Sequence, residues 1–444
     1  MRTFLIVLMI TILVVPSYAQ KVLKLDDAVN IALQKNTTLQ KNINNIKNYE
    51  AGLLAAYGSF LPSVSASGRW SWTRSDVESD FISSEGISSI TTETRSYSAG
   101  VGADWVLFDG LANYGNLSQN QNNLESAKLS IERMKQDVVF QVMNLYYDVV
   151  NTAQLLKFKE EDVKWNQKNL ETITERNKLG AVTLADVYAQ QVRTGNAELE
   201  VIRTKNLLET SKTNLLYYLG LDVLEEYVFE ENFSAGELKM LDTKITEDYT
   251  NLSVLVDQAL DSRPDFKSSI LNRESAYDGI TIARSGHLPR ITGDAQYGIR
   301  ANRLSDITDN KSLSVGLTLS IPIFSGWSVS ERVQTAQVIA ENSEIDVIDL
   351  ERTIKKDIQK TYLDLQAAEK GLLVSQKNVT AAEENQKIEQ EKYSLGAGTL
   401  LNVLIANSEY TNAQTNYINA QFAYIVLSEQ LKYYLGILDF KKYE

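Results

Sequence analysis

Apolar and polar positions along this chain keep two distinct periods. From Ser63 the period is two. Val64, Ala66, Gly68, Trp70 and Trp72 fall on one face, with Ser63, Ser65, Ser67, Arg69, Ser71 and Thr73 on the other. A second run sets Tyr97, Ala99, Val101, Ala103, Trp105 and Leu107 against Ser96, Ser98, Gly100, Gly102 and Asp104. Later, Ile291, Gly293, Ala295, Tyr297 and Ile299 oppose Thr292, Asp294, Gln296 and Arg300. Leu313, Val315, Leu317, Leu319, Ile321 and Ile323 oppose Ser314, Gly316, Thr318 and Ser320. Alternation over about ten residues, apolar outside and small-polar inside, predicts transmembrane strands over 63–74, 96–107, 291–300 and 313–323. Trp70, Trp72, Trp105 and Trp327 lie in or beside these runs, where an interfacial aromatic girdle would sit. A soluble amphipathic sheet packed on helices is the competing reading.

Between the strand pairs the period changes to seven. Val142, Val149, Leu156, Val163 and Leu170 keep it, as do Ile358, Leu365, Leu372 and Val379; an earlier phase holds Leu124, Ile131, Val138 and Leu145. Sustained heptads predict helices lying side by side with a left-handed supercoil. Pro16, Pro62, Pro264, Pro289 and Pro322 all fall outside 111–179 and 327–395, so each stretch is expected as one helix of about 100 Å. Shorter helices are expected over 25–57, 184–219, 251–285 and 400–435, two of them stacked end to end beside each long one. Pro264 after Arg263 should bend or break the helix over 251–285.

The chain is written twice. Leu179-Gly180-Ala181-Val182-Thr183 returns 216 residues later as Leu395-Gly396-Ala397-Gly398-Thr399. Phe108-Asp109-Gly110 maps onto Phe324-Ser325-Gly326 at the same offset, and Tyr217-Tyr218-Leu219-Gly220 onto Tyr433-Tyr434-Leu435-Gly436. Upstream the offset is 227, carrying Leu61-Pro62 onto Leu288-Pro289. A length difference therefore lies between Pro62 and Phe108, and the 75–95 connection is expected as the longer extracellular loop against 301–311. The organisation read from this is a first repeat over 20–220, an inter-repeat belt over 221–250, a second repeat over 251–436 and a tail over 437–444.

Composition then narrows the chemistry. The 444 residues carry 44 Lys+Arg against 57 Asp+Glu, one His and no Cys. Ser–His and Cys–His nucleophilic sites and Cys/His zinc sites are excluded in practice, and disulfides outright. A net charge of −13 argues against nucleic acid as a partner. Arg2 precedes an apolar run from Phe4 to Val15, interrupted by Thr11, and Ala19 closes a small-x-small site. Residues 1–19 thus read as a cleaved secretory signal, too short in its apolar part for an anchor. No later stretch holds 18 consecutive apolar residues, so a return to the membrane must use strands. His287 reads as a loop residue and the Tyr146-x-Asp148 and Tyr362-x-Asp364 pairs as helix-face packing. Neither a metal nor a cofactor is expected.

Four strands cannot close a barrel, and open edges are not tolerated in lipid; two or three chains must combine, and only twelve strands leave a conducting lumen. The duplicated Leu-Pro strand starts and Phe-x-Gly strand ends, the Arg263-Pro264-Asp265-Phe266 turn, the Leu-Gly-x-x-Thr tips and the Tyr-Tyr-Leu-Gly ends carry a resemblance over essentially the whole mature chain. The sequence resembles the TolC-like outer-membrane efflux proteins. The resemblance implies a mainly α fold with a membrane β-barrel: a homotrimer whose twelve strands sit in outer-membrane lipid of a Gram-negative bacterium, above a coiled-coil α-barrel in the periplasm. It also implies a periplasmic adaptor and an inner-membrane transporter as partners, and a tip that opens by untwisting of helix pairs.

On the same basis Leu179, Gly180, Ala181, Thr183, Leu395, Gly396, Ala397 and Thr399 are expected at the adaptor-docking tips. Gly180 and Gly396 suit helix ends, and Thr183 and Thr399 suit the caps of the next helices. Family members often carry acids just after the second tip; here Asn402 and Ile405 stand there, with Asp186 keeping a carboxylate in the first repeat. An apolar or amide constriction is expected in place of an acidic ring. Three function classes stay in play: a passive exit duct for efflux or for type I protein secretion, a coiled-coil stalk, and a secreted enzyme using paired carboxylates. The last has no glycine-rich loop or metal cluster behind it.

Overall fold

A computed structural model of the chain describes residues 22–78, 89–229 and 251–443. In chain order the elements are β1 (Val22–Leu23), α1 (Leu25–Lys35), α2 (Thr37–Gly58), β2 (Ser63–Glu78), β3 (Ser89–Phe108), α3 (Ala112–Lys178), α4 (Leu184–Leu219) and β4 (Val228–Phe229). The second half follows with α5 (Leu252–Ser262), α6 (Pro264–Arg284), β5 (Arg290–Ala301), β6 (Lys311–Ser320), α7 (Ser328–Ser394) and α8 (Leu400–Tyr434). The expected signal over 1–19, most of the inter-repeat segment and the centre of the 75–95 loop lie outside the described residues.

The four amphipathic strands form one antiparallel sheet in the order β2-β3-β5-β6. Cross-strand register keeps each face pure. Val64, Ala103, Ala295 and Val315 share an outward row, and Ser65, Gly102, Gln296 and Ser314 an inward one. Outward apolar residues stand uncovered: Leu313, Val315 and Leu317 are each more than 70% exposed. Tyr97 and Trp105, outward on β3, are eight residues apart, ~27 Å along the strand and about 20 Å along the normal of a barrel tilted ~40°. That approaches the height of an outer-membrane apolar band. Among the described residues, β2 and β6 each have one edge without a partner.

Boundaries differ from the sequence reading for identifiable reasons. β2 and β3 run on to Glu78 and from Ser89, past the apolar belt, because Thr91, Thr92 and Thr94 suit a ladder and Arg74 pairs with Asp76 and Glu93 at 3.6 and 4.0 Å. β6 stops at Ser320, before Pro322, which has no N–H to give. The helix expected over 25–57 is broken at Asn36, whose Oδ1 accepts from the Thr38 and Leu39 amides at 3.1 and 3.0 Å and restarts the helix as a cap. The helix expected over 251–285 breaks at Arg263, with Pro264 opening α6 in the one helical position that suits it.

Two compact units emerge. The first holds the sheet with residues 41–134 and 256–357. In it, β3 turns into α3 through two successive left-handed residues, Gly110 (φ 70°) and Leu111 (φ 73°), and β6 reaches α7 through Gly326 (φ 59°) and Trp327 (φ 66°). A Cβ on Gly110 would lie 2.7 Å from both the Leu288 Cβ and the Ser285 carbonyl, whereas Gly326 faces open space. Deeper in this unit, Arg263 grips Asp265 through two bonds of 2.6 and 3.0 Å, with Arg133 3.9 Å away. Burial alone would raise the Asp265 carboxyl, but the Arg263 hydrogen bond and charge, then the Arg133 charge, bring it below its ordinary value.

The second unit holds residues up to 40, 135–255 and 358 onward. β1 pairs in parallel with β4, and Leu23, Val29, Ala32, Val142, Leu215 and Leu219 are fully enclosed around them. The Tyr146 hydroxyl donates to the Leu23 carbonyl at 3.3 Å, and Asp148 accepts from Ser211 at 2.6 Å. Phe140 stacks on Tyr433 at 4.8 Å between ring centres, and the chain end is anchored by buried Leu438 and Phe440.

Gly110→Ala should lower the melting temperature measured by circular dichroism in detergent by well over that of Gly326→Ala. The second change meets only the left-handed backbone cost of about 1 kcal/mol, while the first adds two clashes. The Asp265 contribution, from a carboxyl with a lowered folded-state value, is complete above its ordinary pKa and lost as pH falls through the lowered one. Asp265→Asn should cost about 3 kcal/mol at neutral pH and flatten that acid limb in a pH series of melts.

Candidate functional site: the paired helix tips

Each long helix ends in the same hydrogen-bond pattern. Ala181 N–H donates to the Arg176 carbonyl at 2.9 Å and Gly180 N–H to the Asn177 carbonyl at 2.8 Å. Ala397 and Gly396 repeat this on Lys392 and Tyr393 at 2.8 and 3.2 Å. These are Schellman caps, and both glycines sit at φ 75° as such caps require. Thr183 then caps α4 and Thr399 caps α8, their hydroxyls accepting from the Asp186 and Asn402 amides at 3.2 and 3.3 Å. The turn is thus fixed by local chemistry at both ends. Leu179 and Leu395, at its apex, are left 84% and 82% exposed, and Ala181, Thr183, Ala397 and Thr399 are exposed with them.

The three residues expected near the gate have separate surroundings. Asp186 closes a capping box, its carboxylate accepting from the Thr183 N–H at 3.0 Å and the Thr183 hydroxyl at 2.7 Å. Asn402 is exposed on the first turn of α8 and contributes to holding Glu389 ionised. The Lys392 hydrogen bond is the chief reason that the Glu389 carboxyl lies below its ordinary value. Ile405 is half exposed on α8, one turn further on. No hydrogen bond or ion pair joins Asp186 to Asn402 or Ile405 among the described residues.

Two features of the tip escaped the sequence reading. Arg176 reaches from the end of α3 to the end of α7, donating to the carbonyls of Ser394 at 2.9 Å and Tyr393 at 3.4 Å, with its guanidinium 5.2 Å from the centre of the Tyr393 ring. A cation there also meets the negative end of the helix dipole. Its counterpart in the repeat, Lys392, pairs instead with Glu389 on its own helix, so duplication alone gave no hint. The other feature is a polar layer where an apolar seam through Val163 and Leu170 was expected. Those two are only half buried, whereas Asn166 and Gln190 are fully enclosed. Gln190 donates to Asn166, Asn166 to Asp162, Asn407 to Asp162, and Gln386 to Asn407, at 3.2, 3.1, 3.2 and 2.6 Å, linking α4, α3, α8 and α7. The signal was present in the seven-residue phase Leu145, Thr152, Lys159, Asn166 and Ile173, which mixes polar with apolar types. Nothing in this arrangement resembles a catalytic centre, and among the described residues no group of three or more His, Cys, Asp or Glu is placed to hold a metal.

The profile described as outer membrane efflux protein matches residues 28–221 and 255–437, the two duplicated halves. This chain belongs to the outer membrane efflux protein family. The family is one of channel proteins, not enzymes. The chain is 22% identical over 393 residues to outer membrane protein TolC of Vibrio cholerae, covering 86% of this chain and 83% of the relative. To protein CyaE of Bordetella pertussis it is 23% identical over 400 residues, covering 89% and 80%. Among solved structures, CusC superposes with a TM-score of 0.82 over 93% of this chain and 92% of that one, at 15% identity. The efflux-protein fold therefore persists where little sequence identity does.

Removing the Arg176 clasp should loosen the tip without unfolding the chain. For Arg176→Ala, amide hydrogen exchange at Gly396 and Ala397 should accelerate about tenfold, the effect of losing one charge-assisted hydrogen bond, while exchange in the α1–α4 core stays put. Rates within twofold of the parent would show that the clasp holds nothing.

Proposed function

We propose that this chain is the exit duct of an export assembly in the outer membrane. Three copies close twelve strands into a barrel, and their paired helices line a passage through the periplasm. The observation that carries this is the sheet: four strands, apolar outward and polar inward, with β2 and β6 each open on one edge. Lipid does not tolerate open edges, and pairing β2 of one copy with β6 of the next satisfies both at once. Three copies rather than two leave an aqueous lumen.

The duct does no chemistry. Cargo is handed over by an inner-membrane transporter through a periplasmic adaptor, whose docking points are the exposed apices at Leu179 and Leu395 with Gly180, Ala181, Thr183, Gly396, Ala397 and Thr399 around them. Efflux of small solutes is the leading use; protein secretion would employ a duct of the same shape, the choice lying with the transporter. At the closed tip the constriction is apolar and amide-lined, by Ile405 and Asn402, which stand on the first turns of α8, while Asp186 on α4 holds the Thr183 cap.

Detergent-purified protein should have the mass of three chains and give discrete conductance steps in planar bilayers. Ile405→Ser should raise the single-channel conductance, and an unchanged step size would remove Ile405 from the gate. A monomer that partitions to water and gives no steps would return the stalk reading to first place. Replacing Leu179 and Leu395 together by Asp should abolish adaptor cross-linking while leaving the conductance steps unchanged.

A further inference from the structure

The inward face of the sheet is mostly hydroxyl and glycine, and its charges are not scattered. Register places Arg69 opposite Ser98, and Ser98 opposite Arg300, so two guanidiniums flank one serine in a single row. Both arginines are exposed, and among the described residues neither is paired with a carboxylate. Their inward neighbours two residues away along the strands are Ser67, Ser71, Ser96, Gly100 and Gly298, none able to neutralise them. Six residues toward the helices, Asp104 lies opposite Asp294, with Arg290 at the start of β5 beyond them. The two rows are ~20 Å apart along the strands and about 15 Å along the barrel axis. That exceeds the ~8 Å Debye length at physiological ionic strength, so the arginine row acts as a separate electrostatic level.

We propose that Arg69 and Arg300 form an anion-attracting collar in the barrel wall, on the loop side of its midpoint. It concentrates anionic solutes, such as carboxylates, sulfonates and phosphates, at the last stage of export. The inference rests on the barrel reading above, in which threefold repetition makes six guanidiniums within a band of about 6 Å along the barrel axis. It runs against the chain's net charge of −13, so a general positive potential cannot account for it. Uncompensated arginines on a polar wall also differ from those used for folding, such as Arg263 on Asp265. A lumen wall of low dielectric, closed around one sign of charge, focuses its field on the solution inside.

The chain has no cysteine, which makes the test direct. In the full-length protein in liposomes, Ser98→Cys puts a thiol within the collar and Ala99→Cys puts one on the opposite, lipid-facing side. Each is treated from the loop side with methanethiosulfonates of equal size, one carrying a sulfonate and one a quaternary ammonium. Rates are taken relative to those with a small free thiol. At Ser98→Cys the anionic reagent should react at least about tenfold faster than the cationic one, the scale on which focused potentials raise local counter-ion concentration. Adding Arg69→Ser and Arg300→Ser should bring the ratio to about one, and Arg69→Lys with Arg300→Lys should retain it. Ala99→Cys should react with neither. Equal rates for the two reagents at Ser98→Cys, with Ala99→Cys protected, overturn the collar and leave the duct intact. Equal reaction at both cysteines means that the sheet has no lipid face, and the duct reading falls with the collar.

Discussion

The four-stranded sheet, on which the proposed duct depends, answers to one constraint: in hydrocarbon, every backbone N–H and C=O must find a partner within the protein. A four-stranded antiparallel sheet satisfies three ladders and leaves two edges. The apolar outward rows from Val64 through Leu319 commit that sheet to lipid, and in the proposed duct further copies of the same sheet close the edges. Duplication supplies the sheet as two antiparallel pairs, with strands of 16 and 20 residues in the first half and 12 and 10 in the second. The left-handed pairs Gly110-Leu111 and Gly326-Trp327 are the same device used twice, turning each strand pair into a long helix.

The helices solve a different problem with different means. Around β1 and β4 the core is apolar, with Val142, Val149, Leu215 and Leu219 enclosed, and stability there follows buried area. Toward the tips polar residues enter an interior that still encloses Ile173, Leu400, Val403 and Ala406. The seam of α7 reads Ile358, Leu365 and Leu372, then Ser375, Gln386 and Glu389. A hydrogen-bonded polar layer adds little net stability over an apolar one, but it pins the register of the helices it joins, since any slip leaves amides unpaired. The Arg176 clasp works alike, its guanidinium tying the end of α3 to the Tyr393 and Ser394 carbonyls at the end of α7. Directional contacts thus add to burial toward the tip, whereas the central core rests on burial.

The repeat, the strand faces, the two long helices, the tip glycines with their threonines and the break at Pro264 were legible because each rests on local chemistry: period two, period seven, a positive φ, a cap, a missing N–H. Less legible was where a ladder stops once the apolar pattern ends. Ser75 and Thr92 keep pairing past the membrane belt because backbone hydrogen bonds do not need apolar side chains. Asn36 was read as helix interior, although its side chain is better suited to capping the next helix.

The sequence by itself determined the class of the protein: alternation, heptads and duplication admit few folds, and the absence of thiols with a single histidine removes most chemistry. Only the tertiary structure decided which polar residues face one another. That Arg176 crosses to the other hairpin while Lys392 does not, that Asn166 is enclosed against Gln190, and that Arg69 and Arg300 share a row all depend on pairing between residues from 24 to over 230 positions apart. Periodicity assigns a residue to a face. Its partner on that face is set by register, and register is a property of two chain segments at once.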